Sequence, residues 1–193
     1  MIPPADFRAW FHAATGLVAL GLGVFPYALS VAGAVLGVVA GWIVIPRTPL
    51  EARLRRPGEP WLNGLRTYPV AVILLVLFLR PATLAATAWA VWAAGDAAAS
   101  LVGRHVRAPA LFGHRKATWS GTPAFVVLGT LAGYGVGRFV EATGGGAGTS
   151  LPVVALAAVA SALVDLVRIP PDDNLPNALA AGVALVLGAH LSG

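Results

Sequence analysis

Long apolar stretches alternate with short polar loops along the whole chain. A helix that crosses the hydrocarbon core of a membrane needs about 20 mostly apolar residues. Seven segments approach this length, the third being the shortest: 10–27, 28–46, 67–80, 82–102, 121–140, 150–168 and 176–191. The pattern therefore predicts an all-α bundle of seven membrane-spanning helices, formed by one domain over residues 1–193.

The composition agrees with a membrane protein. Hydrophobic residues make up 58% of the chain and charged residues only 11%, whereas soluble domains are about 25% charged. The mean hydropathy is +0.79. The chain has no cysteine, which excludes disulfides, thiolate metal sites and cysteine nucleophiles.

The basic residues are distributed unevenly between the two sides of the predicted bundle. Seven spans place the N-terminus and the loops 47–66, 103–120 and 168–175 on one side, with eleven of the thirteen lysines and arginines. Only Arg80 and Arg138 fall on the other side. The positive-inside rule then predicts a cytoplasmic N-terminus in a multi-pass protein of the cell (inner) membrane. The net charge of +5 is thereby interpreted as a topology signal and not as a nucleic-acid-binding surface.

Glycines recur at every fourth position in two of the predicted helices. Such stripes let helix backbones approach closely, so we expect simple helix packing there and no ligand groove. The six residues are Gly33, Gly37, Gly41, Gly129, Gly133 and Gly137.

One carboxylate interrupts the fourth apolar segment. Asp96 is the only charged residue between Arg80 and Arg104, and an ionisable group in a spanning helix costs several kcal/mol unless it is paired or faces water. Helical spacing places Ser100 on the same face one turn later. Two interpretations remain open: a carboxylate that binds a metal or a phosphate-linked group, and a structural pairing with a buried arginine.

Two polar loops add further candidate chemistry. The loop after Asp96 carries cations that could hold a polyphosphate or simply fix topology, namely Arg104, His105, Arg107, His114, Arg115 and Lys116. The stretch Asp172-Asp173-Asn174 supplies hard oxygen ligands that suit Mg²⁺. Asp173 or Asn174 could alternatively cap the last helix.

Two weaker features lie on the same predicted side. Arg8 and His12 are one helical turn apart in the first segment, and Glu51 and Arg55 lie in the following loop. Without a catalytic role, Arg8 and His12 would be a polar anchor at the membrane interface. Glu51 and Arg55 would then belong to a solvated charged surface. Since all these features share the cytoplasmic side, the pattern favours an active site at the membrane surface over a transport path, which needs polar groups at the midplane.

These segments resemble, in order, the motifs of the dolichol kinase and phytol kinase family of polytopic membrane enzymes, which includes CTP-dependent diacylglycerol kinases. The stretch "GDAAASLVGR" (95–104) is similar to that family's Gly-Asp-x-x-Ala-x-x-x-Gly-Arg/Lys signature. Four other segments continue the resemblance over nearly the whole chain: "FRAWFHAATGL" (7–17), "PLEARLRR" (49–56), "KATWSGTPAF" (116–125) and "ALVDLVRIPPDDNLPNAL" (162–179).

The chain departs from the family pattern at four positions. Ala117 replaces a lysine, Ser120 a glutamate, Ala9 a basic residue, and Asp165 stands where glutamate is common. The segment "KATWSGT" (116–122) also resembles phosphatidate cytidylyltransferases, whereas the last motif fits the kinases better.

The resemblance implies phosphoryl transfer, with Mg²⁺ or another divalent cation, from a nucleoside triphosphate to the hydroxyl of a membrane lipid alcohol such as a polyprenol, a phytol-like isoprenoid alcohol or diacylglycerol. CTP is the donor that the resemblance favours, and the sequence leaves CTP and ATP both open. Asp96 and Asp173, with Asp172, are expected to bind the metal or to deprotonate the hydroxyl. Arg104, Arg115 and Lys116 are expected to hold phosphates, and Asn174 to orient the metal shell. Arg8, His12, Glu51 and Arg55 are expected at the rim. A cytidylyltransferase and a non-enzymatic transporter or scaffold are the alternatives, and the sequence leaves the oligomeric state open.

Overall fold

A computed structural model describes residues 3–55, 58–113, 117–167, 169 and 172–192. This part of the chain contains no β-strand, so the predicted all-α class is confirmed. Each long helix overlaps one predicted segment. The seven are α1 (Pro4–Val24), α2 (Tyr27–Arg47), α3 (Gly64–Phe78), α4 (Ala82–His105), α5 (Gly121–Ala142), α6 (Leu151–Asp165) and α7 (Asn174–Ser192).

Four of these helices are long and apolar enough to cross a membrane, namely α1, α2, α5 and α7. In contrast, α3 and α6 have 15 residues each, which corresponds to about 22 Å of helix. That length is less than the roughly 30 Å of a bilayer core. The structure therefore supports a membrane protein, while seven spans and a cytoplasmic N-terminus remain predictions.

Prolines mark the beginnings of several helices. Pro4 is the first residue of α1, and Pro26 and Pro81 directly precede α2 and α4. Proline fits a helix start because its fixed φ is helical and its missing N–H has no partner to lose there. The first helix of the chain ends just before Phe25, which is extended, as expected for a residue that precedes proline.

Helix α4 is the centre of the bundle. Every residue from Thr83 to Ala93 is buried, and α4 contacts α1, α3, α5, α6 and α7. The glycines of α5 permit the closest of these contacts: a Cβ at Gly129 would lie 2.8 Å from the carbonyl oxygen of Val91. Gly133 and Gly137 also face α4. The packing prediction is confirmed for this glycine stripe.

The loops gather at two ends of the bundle. At one end, which we call the polar end, the start of α1 meets Leu54, Glu59 and Gly64, the end of α4 and the start of α7. At the opposite end, the Thr83 hydroxyl donates a hydrogen bond to the carbonyl oxygen of Gly146 at 2.7 Å. The polar end therefore unites the segments that carry the predicted site.

Helix α2 leaves an open groove beside α1. It packs mainly against α3, where a Cβ at Gly41 would lie 2.7 Å from the carbonyl oxygen of Leu65. A Cβ at Gly33 would meet nothing within 4 Å, and Gly33, Gly37 and Gly41 all line the groove. The packing prediction thus holds for Gly41, whereas Gly33 faces open space, because only part of α2 contacts α3. The groove has a volume of about 560 Å³.

Candidate functional site

Asp96 on α4 pairs with His12 on α1. Asp96 Oδ2 lies 3.1 Å from His12 Nδ1, and the Asp96 side chain is 29% exposed. Small residues allow the two helices to come this close, since a Cβ at Gly16 of α1 would lie only 2.8 Å from the Cβ of Ala93. Asp96, which was expected at the metal or the hydroxyl, and His12, which was expected at the rim, therefore lie together.

His12 is enclosed by aromatic rings. The centroid of its ring lies 4.5 Å from that of Tyr68 and 5.2 Å from that of Trp92, both edge-on. His12 is 8% exposed, and within the described residues its Nε2 has no hydrogen-bond partner. The hydroxyl of Tyr68 is itself held by Trp89 Nε1 at 2.7 Å and by Thr15 Oγ1 at 2.8 Å. The imidazole is thus fixed in place by its aromatic neighbours.

The start of α7 is tied to α3 through Asp172. Asp172 Oδ1 accepts a hydrogen bond from the Asn174 N–H at 2.9 Å, and Oδ2 accepts one from the Thr67 hydroxyl. Burial raises the pKa of the Asp172 carboxyl, because loss of solvent disfavours the charged form. The hydrogen bonds from Thr67 and Asn174 act in the opposite direction.

Asp173 occupies the N-cap position of α7. Its carbonyl oxygen accepts the Asn177 N–H at 3.0 Å, as the residue at a helix N-cap does. The hydrogen bond to the Asn174 N–H comes from the side chain of Asp172. The capping role that the sequence analysis considered for Asp173 or Asn174 is therefore divided between Asp173 and Asp172.

Arg8 and Asn174 converge over Gly64. A Cβ at position 64 would lie 2.6 Å from Arg8 Nη2 and 2.9 Å from Asn174 Nδ2, so a side chain there would displace the ends of these two side chains. Arg8 Nη1 also lies 2.7 Å from Glu59 Oε1, and Asn174 Nδ2 donates to the carbonyl oxygen of Gly64 at 3.2 Å. Arg8, Asn174 and His12 all line the polar end of the groove.

Arg104 fastens the end of α4 to the start of α1. Its Nε lies 2.9 Å from Asp6 Oδ1, and its Nη2 donates to the Ala5 carbonyl oxygen at 3.1 Å. His105 Nε2 lies 3.0 Å from the second oxygen of Asp6. Ser100 lies on α4 one turn after Asp96 and is partly exposed.

Glu51 and Arg55 lie in the segment between α2 and α3. Arg55 Nη1 and Arg66 Nη2 are each 3.9 Å from Glu51 Oε1, and Arg55 Nη2 donates to the carbonyl oxygen of Glu59 at 2.7 Å. Because Glu59 also binds Arg8, this segment is connected to the polar end of the groove. Arg115 and Lys116, the other predicted phosphate ligands, lie outside the described residues.

Several contributors were not predicted from the sequence. Asp6 binds Arg104, Glu59 binds Arg8, and Thr67 binds Asp172 and Asn174. Asp6 and Glu59 are acidic residues close in sequence to basic ones, and this proximity could have indicated them as ion-pair partners. Thr67 carries no such signal, because threonine is common in apolar helices.

The acidic residues do not form a closed metal cage. Within the described part of the chain, no group of three or more histidine or acidic side chains is placed to hold a metal ion. Mg²⁺ usually takes only one or two carboxylates together with substrate phosphates and waters. The adjacent carboxylates of Asp172 and Asp173 fit that donor set.

Comparisons with protein-family models, with curated proteins and with solved structures find no match to this chain.

Proposed function

We propose that this protein transfers the γ-phosphoryl group of CTP to the hydroxyl of a membrane lipid alcohol. The observation that carries the proposal is the groove, whose walls are apolar along most of its length and whose polar end is formed by Arg8, His12 and Asn174. An amphipathic molecule with one polar end matches this distribution of side chains.

The acceptor side of the reaction is supported by the Asp96–His12 pair. A phosphoryl acceptor must have its hydroxyl held and its proton removed, and a histidine with a carboxylate on its other nitrogen is suited to both tasks. His12 lines the groove, and Asp96 fixes its Nδ1 side. An apolar chain in the groove would place its hydroxyl beside this pair.

The donor side would use the basic residues of the polar end. Arg8 and Arg104 lie there in ion pairs with Glu59 and Asp6. The sequence adds Arg115 and Lys116 in the loop between α4 and α5. Phosphoryl transfer depends mainly on such positioning and charge neutralisation.

In the transfer step, the alcohol oxygen forms a bond to the γ-phosphorus and the bond from that phosphorus to the β–γ bridging oxygen breaks. CDP leaves, and the hydroxyl proton passes to the Asp96–His12 pair. Asp172 and Asp173 would hold Mg²⁺, which neutralises phosphate charge when it is bound. Asn174 keeps this acidic pair beside the groove through its hydrogen bonds to Gly64 and Thr67.

The proposal is tested with the purified protein in lipid nanodiscs, supplied with Mg²⁺, a lipid alcohol, and CTP labelled on either the γ- or the α-phosphate. We expect the γ-label, and not the α-label, in the lipid fraction. The α-label in lipid together with pyrophosphate release would indicate a cytidylyltransferase. No label in lipid, over a panel of polyprenol, isoprenoid and diacylglycerol acceptors, would favour the non-enzymatic alternatives.

A further inference from the structure

We infer that a cavity at the end of the bundle opposite to the polar end binds a phosphate group, and that this phosphate belongs to the headgroup of a phospholipid. Arg80, on the connection between α3 and α4, is the charged residue in the lining of the cavity. The cavity lies outside the candidate site, so the inference goes beyond the proposed function and does not depend on it.

The cavity is formed where several helices begin or end. Its lining comes from the end of α1, the first residues of α2 and α4, and the glycine turn 144–146 after α5. It has a volume of about 440 Å³, whereas one water molecule needs about 10–15 Å³. The cavity therefore has room for a phosphate group together with bound water.

Arg80 is held beside the cavity by an aromatic ring. Its guanidinium carbon lies 3.4 Å from the centroid of the Tyr27 ring, a contact that leaves the N–H groups at the edge of the guanidinium able to bind an anion. Among the described residues, none provides a carboxylate that pairs with Arg80. Glu141, an acidic residue at the same end, is paired with Arg138. A phosphate would supply the missing negative charge, and arginine binds phosphate through two parallel hydrogen bonds.

The starts of α2 and α4 add weaker attraction for an anion. Both helices follow a proline, and neither has a side-chain cap. The first N–H groups of a helix have no partner within the helix, and they carry a partial positive charge. These helix starts support the binding of an anion whose main contact is Arg80.

The surroundings of the cavity favour a lipid over a soluble anion. Helices α1 and α2 are each long and apolar enough to cross a membrane, and their connection lines the cavity, which places it at the level of lipid headgroups. Phe25 and Tyr27 line it and are 57% and 44% exposed. Leu22 and Val76 line both the cavity and the apolar groove. A phospholipid thus fits with its phosphate at Arg80 and an acyl chain against this apolar surface.

The test is photo-crosslinking of the purified full chain in a maltoside detergent, which carries no phosphate. The probe is phosphatidylglycerol with a diazirine close to the glycerol backbone, and labelled peptides are identified by mass spectrometry. We expect labelling within residues 22–30 or 76–85, which contribute to the lining. A galactosyl diacylglycerol with the same diazirine should label these peptides at least about tenfold less, because it has no phosphate to bind the guanidinium.

A matched pair of variants separates Arg80 from positive charge in general. Arg80→Gln should reduce labelling of the cavity peptides at least about tenfold, because the charged hydrogen-bond donor is lost. Arg138→Gln removes the same charge at the same end, but Arg138 lies outside the cavity and is paired with Glu141, so this variant should label like the wild type. Tyr27→Leu removes the ring that holds the guanidinium and should reduce labelling about twofold to fivefold. Thermal unfolding in the same detergent checks that each variant is folded.

Inorganic phosphate distinguishes the two sources of the anion. It should compete with the probe only at a concentration at least about a hundredfold above that of unlabelled phosphatidylglycerol, because it buries no apolar surface. Competition at a similar concentration would indicate a site for a soluble anion and would overturn the lipid assignment. No labelling of the cavity peptides, unchanged labelling of Arg80→Gln, an equal loss in Arg138→Gln, or equal labelling by the galactolipid would overturn the inference. Because no nucleotide is present, these outcomes are independent of the proposed function.

Discussion

At the scale of single residues, the candidate site depends on the contact between Asp96 and His12, which joins two helices. The aromatic rings of Tyr68 and Trp92 hold the imidazole, and Asp96 Oδ2 lies 3.1 Å from Nδ1. Asparagine has the same shape as aspartate and can still accept a hydrogen bond from Nδ1, but it carries no charge. An asparagine at position 96 therefore tests what the charge contributes to activity separately from what the side chain contributes to folding.

Asp96→Asn should retain membrane insertion and thermal stability but lose lipid phosphorylation by at least about 10²-fold, comparable to the loss of one electrostatic catalytic group. The amount of labelled phosphate in lipid, divided by the amount of folded protein, measures this loss of phosphorylation. Glu141→Gln is the control, because Glu141 pairs with Arg138 near the end of α5, away from the polar end. Normal turnover by the Asp96→Asn protein would return Asp96 to a purely structural role.

Alanine substitutions of Asp172 and Asp173 should have different effects. Asp172→Ala removes hydrogen bonds from the Asn174 N–H and the Thr67 hydroxyl, so it should lower the free energy of unfolding by about 1–3 kcal/mol. Asp173→Ala should lower turnover more than stability. Thermal unfolding in detergent and the labelled-phosphate assay together measure both effects. The reverse pattern would contradict both the stabilising hydrogen bonds of Asp172 and the larger share of Asp173 in metal binding.

The buried Asp172 carboxyl also predicts a pH dependence. Its pKa is raised in the folded protein, so the folded state binds this proton more tightly than the unfolded state does. Stability should therefore fall as the pH rises through the raised pKa, and the loss should be absent in Asp172→Asn, which does not titrate. Unfolding temperatures of the two proteins from mildly acidic to neutral pH measure the difference. Parallel curves of unfolding temperature against pH for the two proteins would contradict this prediction.

The sequence predicted the main polar residues of this site but not their partners. Asp96 is conspicuous because an ionisable group in an apolar segment needs compensation, and Arg8, His12 and Asn174 belong to polar breaks near helix ends. The partners Glu59, Thr67 and Asp6 come from distant parts of the chain. Their positions depend on how the helices pack, which spacing along one helix does not determine.

At the scale of helices, the two glycine stripes behave differently. On α5 the stripe lets α4 approach, because a Cβ at Gly129 would lie 2.8 Å from a backbone carbonyl oxygen. On α2 the stripe contacts α3 only towards Gly41, and at Gly33 it faces the groove. The sequences of the two stripes are alike, so only the placement of α2 distinguishes a packed stripe from one that lines an open groove.

Gly129→Ala should therefore destabilise the protein by about 1–3 kcal/mol, since the added methyl forces α4 and α5 apart. Gly135→Ala, at an open position on the same helix, should be neutral or stabilising by up to about 1 kcal/mol through helix propensity. Unfolding in detergent compares the two variants. Equal effects would show that α4 and α5 are not in close backbone contact at Gly129.

At the scale of the whole molecule, one end of the bundle carries the candidate chemistry. The segments that the distribution of basic residues assigned to one side meet at this end. The helix positions were predictable because each apolar segment is bounded by prolines, glycines or charged residues. The short length of α3 was also indicated, because the third predicted segment is the shortest, whereas α6 ends earlier than predicted, since the apolar residues Leu166 and Val167 follow it and extend the pattern.

Seven crossings require the two ends of the chain to lie on opposite sides of the membrane. Reporter fusions should place the N-terminus in the cytoplasm and the C-terminus outside it, as the basic residues predict. A reporter between α4 and α5 should score with the N-terminus. A cytoplasmic C-terminus would contradict the seven-span topology and the cytoplasmic location of the site.

The measurement that tests the central claim most directly is the ratio of CDP to lipid monophosphate, determined by mass spectrometry in one reaction of the nanodisc-embedded protein with CTP, Mg²⁺ and geranylgeraniol. The account predicts both products in a one-to-one ratio, and neither above background with the Asp96→Asn protein. Pyrophosphate with a cytidylated lipid, or no nucleotide turnover by a folded wild-type protein across the acceptor panel, would contradict it.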